Sequence, residues 1–369
     1  MAPQEAWNRV RRWRPPDVLI KGPLAAYGLV LGLVGVCAAI VLGRIDPALP
    51  AAGDTTAPWM ADGPASLKLP PRPPPKVYFR SLSQRDQLGL VEVMADGQRL
   101  PRISPEGWMP WIAYARRYDP DGPPARVGLL MINVGADEAL MQRAIDELPG
   151  EVSLAFLSGT PDLPRWMKRA HDHAHETYLM LPVQDPEGLA ERGIKPIDMS
   201  VDGAENVSRL QAAMARGRGY VGFVVPEPGP TPWPERMARP LVKEIADRGL
   251  ALIEVNPAPT GSALSRLTVE LGVGYARSST VIDYKLAGRG IAGNLDRLAE
   301  WAGDPHPEHG PRHDFGVLQP DAAAIEAIRS WQARLAKQNT VSFVPIIGHL
   351  ECRANCMERL RAQPAQLRP

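Results

Sequence analysis

Val127–Ile132 reads VGLLMI, and it is followed by Asp137–Leu148 (DEALMQRAIDEL), in which apolar residues recur at helical spacing. A short, continuous apolar run is typical of a strand buried on both faces, as in parallel sheets. The same pairing of an apolar run with an amphipathic stretch recurs towards the C-terminus. The further apolar runs are Val152–Leu157, Thr177–Leu181, Tyr220–Val225, Leu250–Val255, Ser279–Ile282, Phe315–Leu318 and Val341–Ile347.

Strands that alternate with helices predict a parallel sheet covered by helices. Seven or eight such units follow one another between residues 125 and 348, and this number favours a closed barrel over an open sheet. We therefore predict an α/β fold, a distorted (β/α) barrel of about seven parallel strands. In such barrels the chemistry is expected at the carboxyl ends of the strands.

The segment Leu24–Leu42 (LAAYGLVLGLVGVCAAIVL) contains nineteen residues and no charge. At about 1.5 Å of rise per residue, a helix of this length crosses the bilayer core. Basic residues are concentrated before the span and stay cytoplasmic, so the rest of the chain is expected across the membrane. A cleaved signal peptide is the alternative interpretation, because Ala48, Ala51 and Ala52 supply a weak cleavage site beyond the apolar run.

Composition divides the chain into six predicted parts. Prolines are concentrated before the barrel and favour extended, semi-rigid backbone there, which indicates a stalk. The parts are a basic cytoplasmic tail (1–23), a transmembrane helix (24–43), a Pro-rich linker (44–76), a lead-in segment (77–124), the barrel domain (125–348) and a C-terminal tail (349–369).

Bulk composition limits the size of the core and the classes of partner, and two tryptophans and two cysteines suggest specific contacts. The 369 residues are 44% hydrophobic with a formal charge of +1, which supports a sizeable core and gives no electrostatic argument for a nucleic-acid partner. Trp108 and Trp111 share a helical face and are expected to pack on the barrel, with contact to an envelope protein as the alternative. Cys352 and Cys356 form a disulfide or remain two thiols on one helical face.

Several segments together resemble the divergent polysaccharide deacetylase family. They are Gly128–Gly135 (GLLMINVG), Leu148–Pro164 (LPGEVSLAFLSGTPDLP), Ala174–Gln184 (AHETYLMLPVQ), Arg218–Phe223 (RGYVGF) and Ala246–Glu254 (ADRGLALIE). The resemblance covers about residues 126 to 348. It implies a distorted barrel that removes acetyl groups from amino sugars with a divalent metal. Relatives of this kind are typically exported by Gram-negative bacteria, which agrees with the topology that the apolar span and its basic flank predict. That topology is a single-pass inner-membrane protein with its N-terminus in the cytoplasm and its main domain in the periplasm.

The catalytic residues that the resemblance implies are mostly replaced. Ile132 and Asn133 stand where the first strand of relatives ends in two aspartates, and Met180 stands where the third strand carries a histidine. Gln319 replaces a histidine near the seventh strand, and only Asp283, after the sixth, keeps the expected acid. A hydrolytic metal site needs around three histidine or carboxylate ligands. We therefore predict no metal cofactor and no metal-dependent deacetylation.

The remaining polar residues near strand ends are expected to line a relic cavity, with a working sugar-binding pocket as the alternative. The leading hypothesis is a non-catalytic module that binds cell-wall glycan or scaffolds envelope proteins. The alternative is a carbohydrate hydrolase or deacetylase in which Asp283 and Glu254 act as acid and base. The predicted pocket residues are Asn133, Met180, Glu227, Glu254, Asp283 and Gln319.

Histidines elsewhere offer weaker alternatives. His171 and His175 share a helical face at a spacing that metals accept, but they precede the third strand, so a capping or surface role is expected. His306, His309 and His313 lie in a loop that enters the seventh strand, away from the expected pocket. His349 follows the last predicted strand and is expected on the surface or at the pocket rim.

Overall fold

The alternating pattern of apolar runs and amphipathic stretches forms the strands and helices that it predicts. The computed structural model describes residues 89–119, 122–183, 193–198, 200–226, 233–257, 261–284, 290–304 and 310–351. The predicted membrane span at Leu24–Leu42, the Pro-rich linker, Glu227, and Cys352 and Cys356 lie outside these residues. Among the helices described within 89–351, none has both the length and the apolar character needed to cross a bilayer.

The described secondary structure follows the order expected of repeated strand–helix units. The strands are β1 (Val91–Val93), β2 (Arg99–Pro101), β3 (Arg126–Val134), β4 (Ser153–Phe156), β5 (Thr177–Met180), β6 (Gly222–Val225), β7 (Ala251–Val255), β8 (Tyr275–Ser278), β9 (Thr280–Val281), β10 (His313–Leu318) and β11 (Ser342–Phe343). The helices are α1 (Pro110–Ala113), α2 (Glu138–Glu147), α3 (Leu163–Asp172), α4 (Gly203–Met214), α5 (Glu235–Asp247), α6 (Ala263–Leu271), α7 (Ile291–Gly303) and α8 (Ala322–Gln338), and a 3-10 turn follows at Ile346–His349.

The main sheet runs in the order β8-β7-β6-β5-β4-β3-β10-β9, and its neighbouring strands are parallel. Only Ser279 separates β8 from β9, yet β8 pairs with β7 and β9 pairs with β10. A single bent segment therefore joins the two edges and nearly closes the sheet. The predicted barrel of parallel strands is confirmed. It has eight strands, and β8 and β9 together occupy one of the seven positions around it.

Two of the predicted strands have different bounds. The sequence placed the sixth at Ser279–Ile282, whereas the bent β8–β9 segment begins earlier, at Tyr275. It also placed a strand at Val341–Ile347, of which only Ser342–Phe343 pairs with β3. Pro345 lacks the N–H that a ladder needs, and it stands directly before the 3-10 turn.

The strands are buried on both faces, as their continuous apolar runs predict. Leu129 and Met131 of β3 belong to an outer cluster that also contains helix residues, whereas Leu130 belongs to an inner cluster. The inner cluster contains strand residues together with the lead-in segment and the 3-10 turn, so it fills the barrel interior. Alternate residues of each strand therefore face helices or the interior.

The lead-in segment closes the amino end of the barrel. The Trp111 N–H donates to the Gly249 carbonyl at 3.1 Å, and the Trp111 ring packs against Gly274. These glycines lie at or near the starts of β7 and β8. Trp108 and Trp111 are 8% and 4% exposed, which confirms that they pack on the barrel.

Glu176, just before β5, is fully buried and connects several segments at the amino end of the barrel. Its Oε1 accepts hydrogen bonds from the Tyr178 hydroxyl (2.6 Å), the Ser153 hydroxyl (3.2 Å) and the Ile347 N–H (3.1 Å). Its Oε2 accepts the Arg116 N–H at 3.1 Å. Burial raises the pKa of Glu176, and the donated hydrogen bonds oppose this rise. One carboxylate thus links the lead-in segment, two strands and the C-terminal 3-10 turn.

The C-terminal 3-10 turn inserts His349 into the barrel. The expectation that His349 lies on the surface or at the pocket rim is wrong, because it is 6% exposed and packs against Gly128 and the Phe315 ring. A methyl group at Gly128 would approach His349 Nε2 to 2.7 Å, so glycine makes room for the imidazole. Contacts continue to Glu351, which pairs with Tyr275 beyond the predicted domain boundary at 348.

The two histidines around the end of α3 are core residues rather than surface or capping residues. His171 Nε2 lies 2.6 Å from the Gly219 carbonyl oxygen. Both ring nitrogens of His175 face backbone carbonyls, those of Val152 at 2.8 Å and Ile145 at 3.0 Å. These contacts occupy the nitrogens that a metal would need, so the structure gives no support to the metal alternative at this position.

Candidate functional site

Asn133 stands at a bulge near the end of β3. The register between β3 and β4 shifts between Met131 and Val134, and Asn133 has a φ of 57°. Asparagine tolerates this left-handed backbone better than most residues. A bulge redirects the side chains beside it, and such irregularities recur next to functional sites in barrels.

Three of the six predicted pocket residues come together at the carboxyl end. Asn133 Nδ2 lies 3.5 Å from Gln319 Oε1, at the limit of a hydrogen bond. The Gln319 backbone N–H donates to Asp283 Oδ2 at 2.9 Å. This polar trio therefore lies at strand ends: Asn133 near the end of β3, Gln319 directly after β10 and Asp283 after β9.

The interior below the polar trio is apolar. Ile132 packs against the inner cluster, and Met180 and Val255, each 4% exposed, belong to it. The predicted pocket residue Met180 thus forms part of the barrel filling.

Glu254 does not face this mouth, so its predicted place in the pocket is corrected. Its neighbours Ile253 and Val255 face the interior, and the alternation of the strand turns Glu254 towards α6. Glu254 is 2% exposed, and its Oε2 accepts the hydroxyls of Ser262, the N-cap of α6, at 2.6 Å and Tyr275 at 2.7 Å. The carboxylate joins strand to helix.

A further aromatic residue, which the sequence interpretation missed, lies beside the trio. Tyr284 follows Asp283 and is 61% exposed. Asn294 Nδ2 donates to the carbonyls of Ile282 at 2.7 Å and Tyr284 at 3.0 Å, which holds this turn against α7. The sequence did contain a signal for this residue, because an aromatic side chain stands directly after the acid in a polar turn.

The sequence profile of the divergent polysaccharide deacetylase family matches residues 130–348, more than half of the chain. The chain belongs to the divergent polysaccharide deacetylase family. A crystal structure of an uncharacterized protein from Agrobacterium tumefaciens C58 has the same fold, with a TM-score of 0.57 and 23% identity over 68% of this chain and 99% of that chain. No curated protein matches the sequence significantly.

The described residues of this family member do not fit the divalent metal that the family resemblance implies. Among them, the mouth offers two neutral amides and one carboxylate, and Asp283 Oδ2 already accepts a backbone N–H. Ile132 and Met180 have no oxygen or nitrogen in their side chains. Within the described ranges, no three His, Cys, Asp or Glu side chains cluster closely enough to hold a metal ion.

Proposed function

We propose that this protein is a non-catalytic member of the divergent polysaccharide deacetylase family that binds glycan at the carboxyl end of its barrel. The observation that carries the proposal is the packing of Ile132 against the apolar interior, where relatives are expected to present a carboxylate. An aliphatic side chain accepts no proton and binds no cation.

The polar trio supports glycan binding. In the described part of the chain, Asn133 Oδ1 and Gln319 Nε2 have no hydrogen-bond partner. An amide acceptor and an amide donor side by side match the mixed donor and acceptor character of sugar hydroxyls. The hydrolase alternative loses support, because Glu254 faces α6 and does not stand opposite Asp283.

The first prediction concerns metal binding. Full-length protein purified in detergent and dialysed against zinc is expected to retain much less than one equivalent, because the strand ends supply too few ligands. Elemental analysis measures this. The matched variant Ile132→Asp/Asn133→Asp/Met180→His restores two carboxylates and one imidazole and is expected to bind more zinc, provided that circular dichroism shows it folded. One zinc per wild-type chain, released by a chelator, would overturn the non-catalytic proposal.

The second prediction concerns the membrane. We propose that Leu24–Leu42 anchors the protein in the inner membrane and that the barrel lies in the periplasm. The full-length protein is expected in the membrane fraction, resistant to carbonate extraction, with its barrel accessible to protease only after the outer membrane is opened. Deletion of residues 1–43 removes both the anchor and the export signal and is expected to leave the barrel in the cytoplasm. A soluble full-length protein would contradict the anchor.

A further inference from the structure

Three turns at the carboxyl end of the barrel carry acidic residues. They are residues 133–138, from the end of β3 into α2, residues 282–284 after β9, and residues 319–322, from the end of β10 into α8. Together they contain Asp137, Glu138, Asp283 and Asp321, and these three stretches contain no lysine or arginine. Lys285 and Arg289 follow in the sequence, outside the described residues.

Two of these acids have structural roles, whereas Asp283 differs. Asp137 accepts the Leu140 N–H as the N-cap of α2, and Asp321 does the same for α8. Asp283 is the N-cap of no helix that the structure describes. Its Oδ2 accepts the Gln319 N–H, and its Oδ1 has no partner in the part of the chain that the structure describes.

The exposed ring of Tyr284 lies next to this carboxylate in the chain. The two hydrogen bonds from Asn294 fix the backbone of residues 282–284, so the ring and the carboxylate are presented from one anchored turn. An aromatic face attracts cations and also packs against the apolar face of a sugar ring.

We propose that the Asp283–Tyr284 turn is a subsite for an amino sugar in its free-amine form; this inference rests on the glycan-binding function proposed above. The ammonium group pairs with Asp283 Oδ1, and the sugar ring packs on Tyr284. The side-chain amides of Gln319 and Asn133 bond neighbouring hydroxyls.

Charge decides between the free amine and the acetylated sugar. An ammonium donates charge-assisted hydrogen bonds to a carboxylate, which are about twice as strong as neutral ones. An N-acetyl group carries no charge, so covering Asp283 with it removes water from the carboxylate without an ionic partner. The subsite therefore favours de-N-acetylated glycan.

Calorimetric titration of the full-length protein in detergent tests this proposal. At about pH 6 and low salt the glucosamine tetramer is expected to bind about tenfold more tightly than the N-acetylglucosamine tetramer. Asp283→Asn, which keeps an acceptor for the Gln319 N–H, is expected to abolish this preference by weakening only the amine form. Tyr284→Ala is expected to weaken both ligands about fivefold.

Matched controls and outcomes separate the two proposals. Asp172→Asn, an exposed aspartate at the end of α3, and Trp301→Ala, an exposed aromatic on α7, are expected to leave both affinities unchanged. Equal or tighter binding of the acetylated tetramer, or an unchanged preference in Asp283→Asn, overturns the ammonium subsite and leaves glycan binding standing. Binding of neither tetramer overturns both.

Discussion

Glu176→Ala is expected to lower the free energy of unfolding by about 3–5 kcal/mol. The substitution removes the acceptor of four hydrogen bonds in a fully buried position. The donors cannot turn to water, and each unpaired buried donor costs about 1–3 kcal/mol. Urea unfolding followed by circular dichroism measures the loss.

A graded pair of variants tests the cause of this loss. Glu176→Gln keeps one carbonyl acceptor and is expected to cost about half as much. Glu151→Ala removes a partly exposed ion pair with Arg116, in the same lead-in segment, and is expected to cost less than about 1 kcal/mol. If Glu176→Ala cost no more than Glu151→Ala, the amino end of the barrel would not depend on this carboxylate.

The protein is expected to lose about 2–3 kcal/mol of stability through His349 as the pH falls from about 6.5 to 4.5. Burial, and then the nearby positive charges of His313 and Arg126, lower the pKa of His349 to about 3. Both ring nitrogens lack a hydrogen-bond partner among the described residues. The folded state therefore favours the neutral ring.

The direction of this pH dependence follows from the lowered pKa of His349. The unfolded chain has its histidine pKa near 6.5, so above this pH the neutral form predominates in both states and no stability is lost. As the pH falls towards 3, the unfolded state binds a proton that the folded state excludes, and stability decreases by about 1.4 kcal/mol per pH unit.

His349→Leu tests this pH dependence. Leucine fills a similar volume without polar atoms, so the variant is expected to match the wild type at pH 7, to within about 1 kcal/mol. At about pH 4.5 it is expected to be more stable than the wild type by about 2–3 kcal/mol. His173→Asn, at a half-exposed histidine beside Asp146, is the control for removing a histidine that is not buried. Parallel stability curves for His349→Leu and the wild type would contradict the assignment.

The barrel was predictable from the sequence because buried parallel strands leave continuous apolar runs. VGLLMI falls within β3, and LALIEV nearly coincides with β7. The bent β8–β9 segment was less predictable, because Arg277 and three hydroxyl residues interrupt its apolar pattern. This segment pairs with its neighbours through backbone hydrogen bonds, and the pattern of side chains in the sequence does not indicate such pairing.

The site was partly predictable because the ends of the strands could be located in the sequence. Asn133 lies near the end of a strand, and Asp283 and Gln319 follow strands, so position alone placed them at the carboxyl end. Glu254 was misplaced because nearness to a strand end does not decide which face a side chain takes. The alternation of Ile253 and Val255 with Glu254 contained that information. Glu176 had no signal, since its role depends on distant segments that meet only in the fold.

The four hydrogen bonds of Glu176 also set an order of events during synthesis. Arg116 and Ile347, whose N–H groups it binds, come from near the two ends of the described chain. The amino end of the barrel cannot close until the last of these segments has emerged from the ribosome. A chain stopped before Ile347 would expose its apolar interior, and we expect chaperones to hold it and quality-control proteases to cut it.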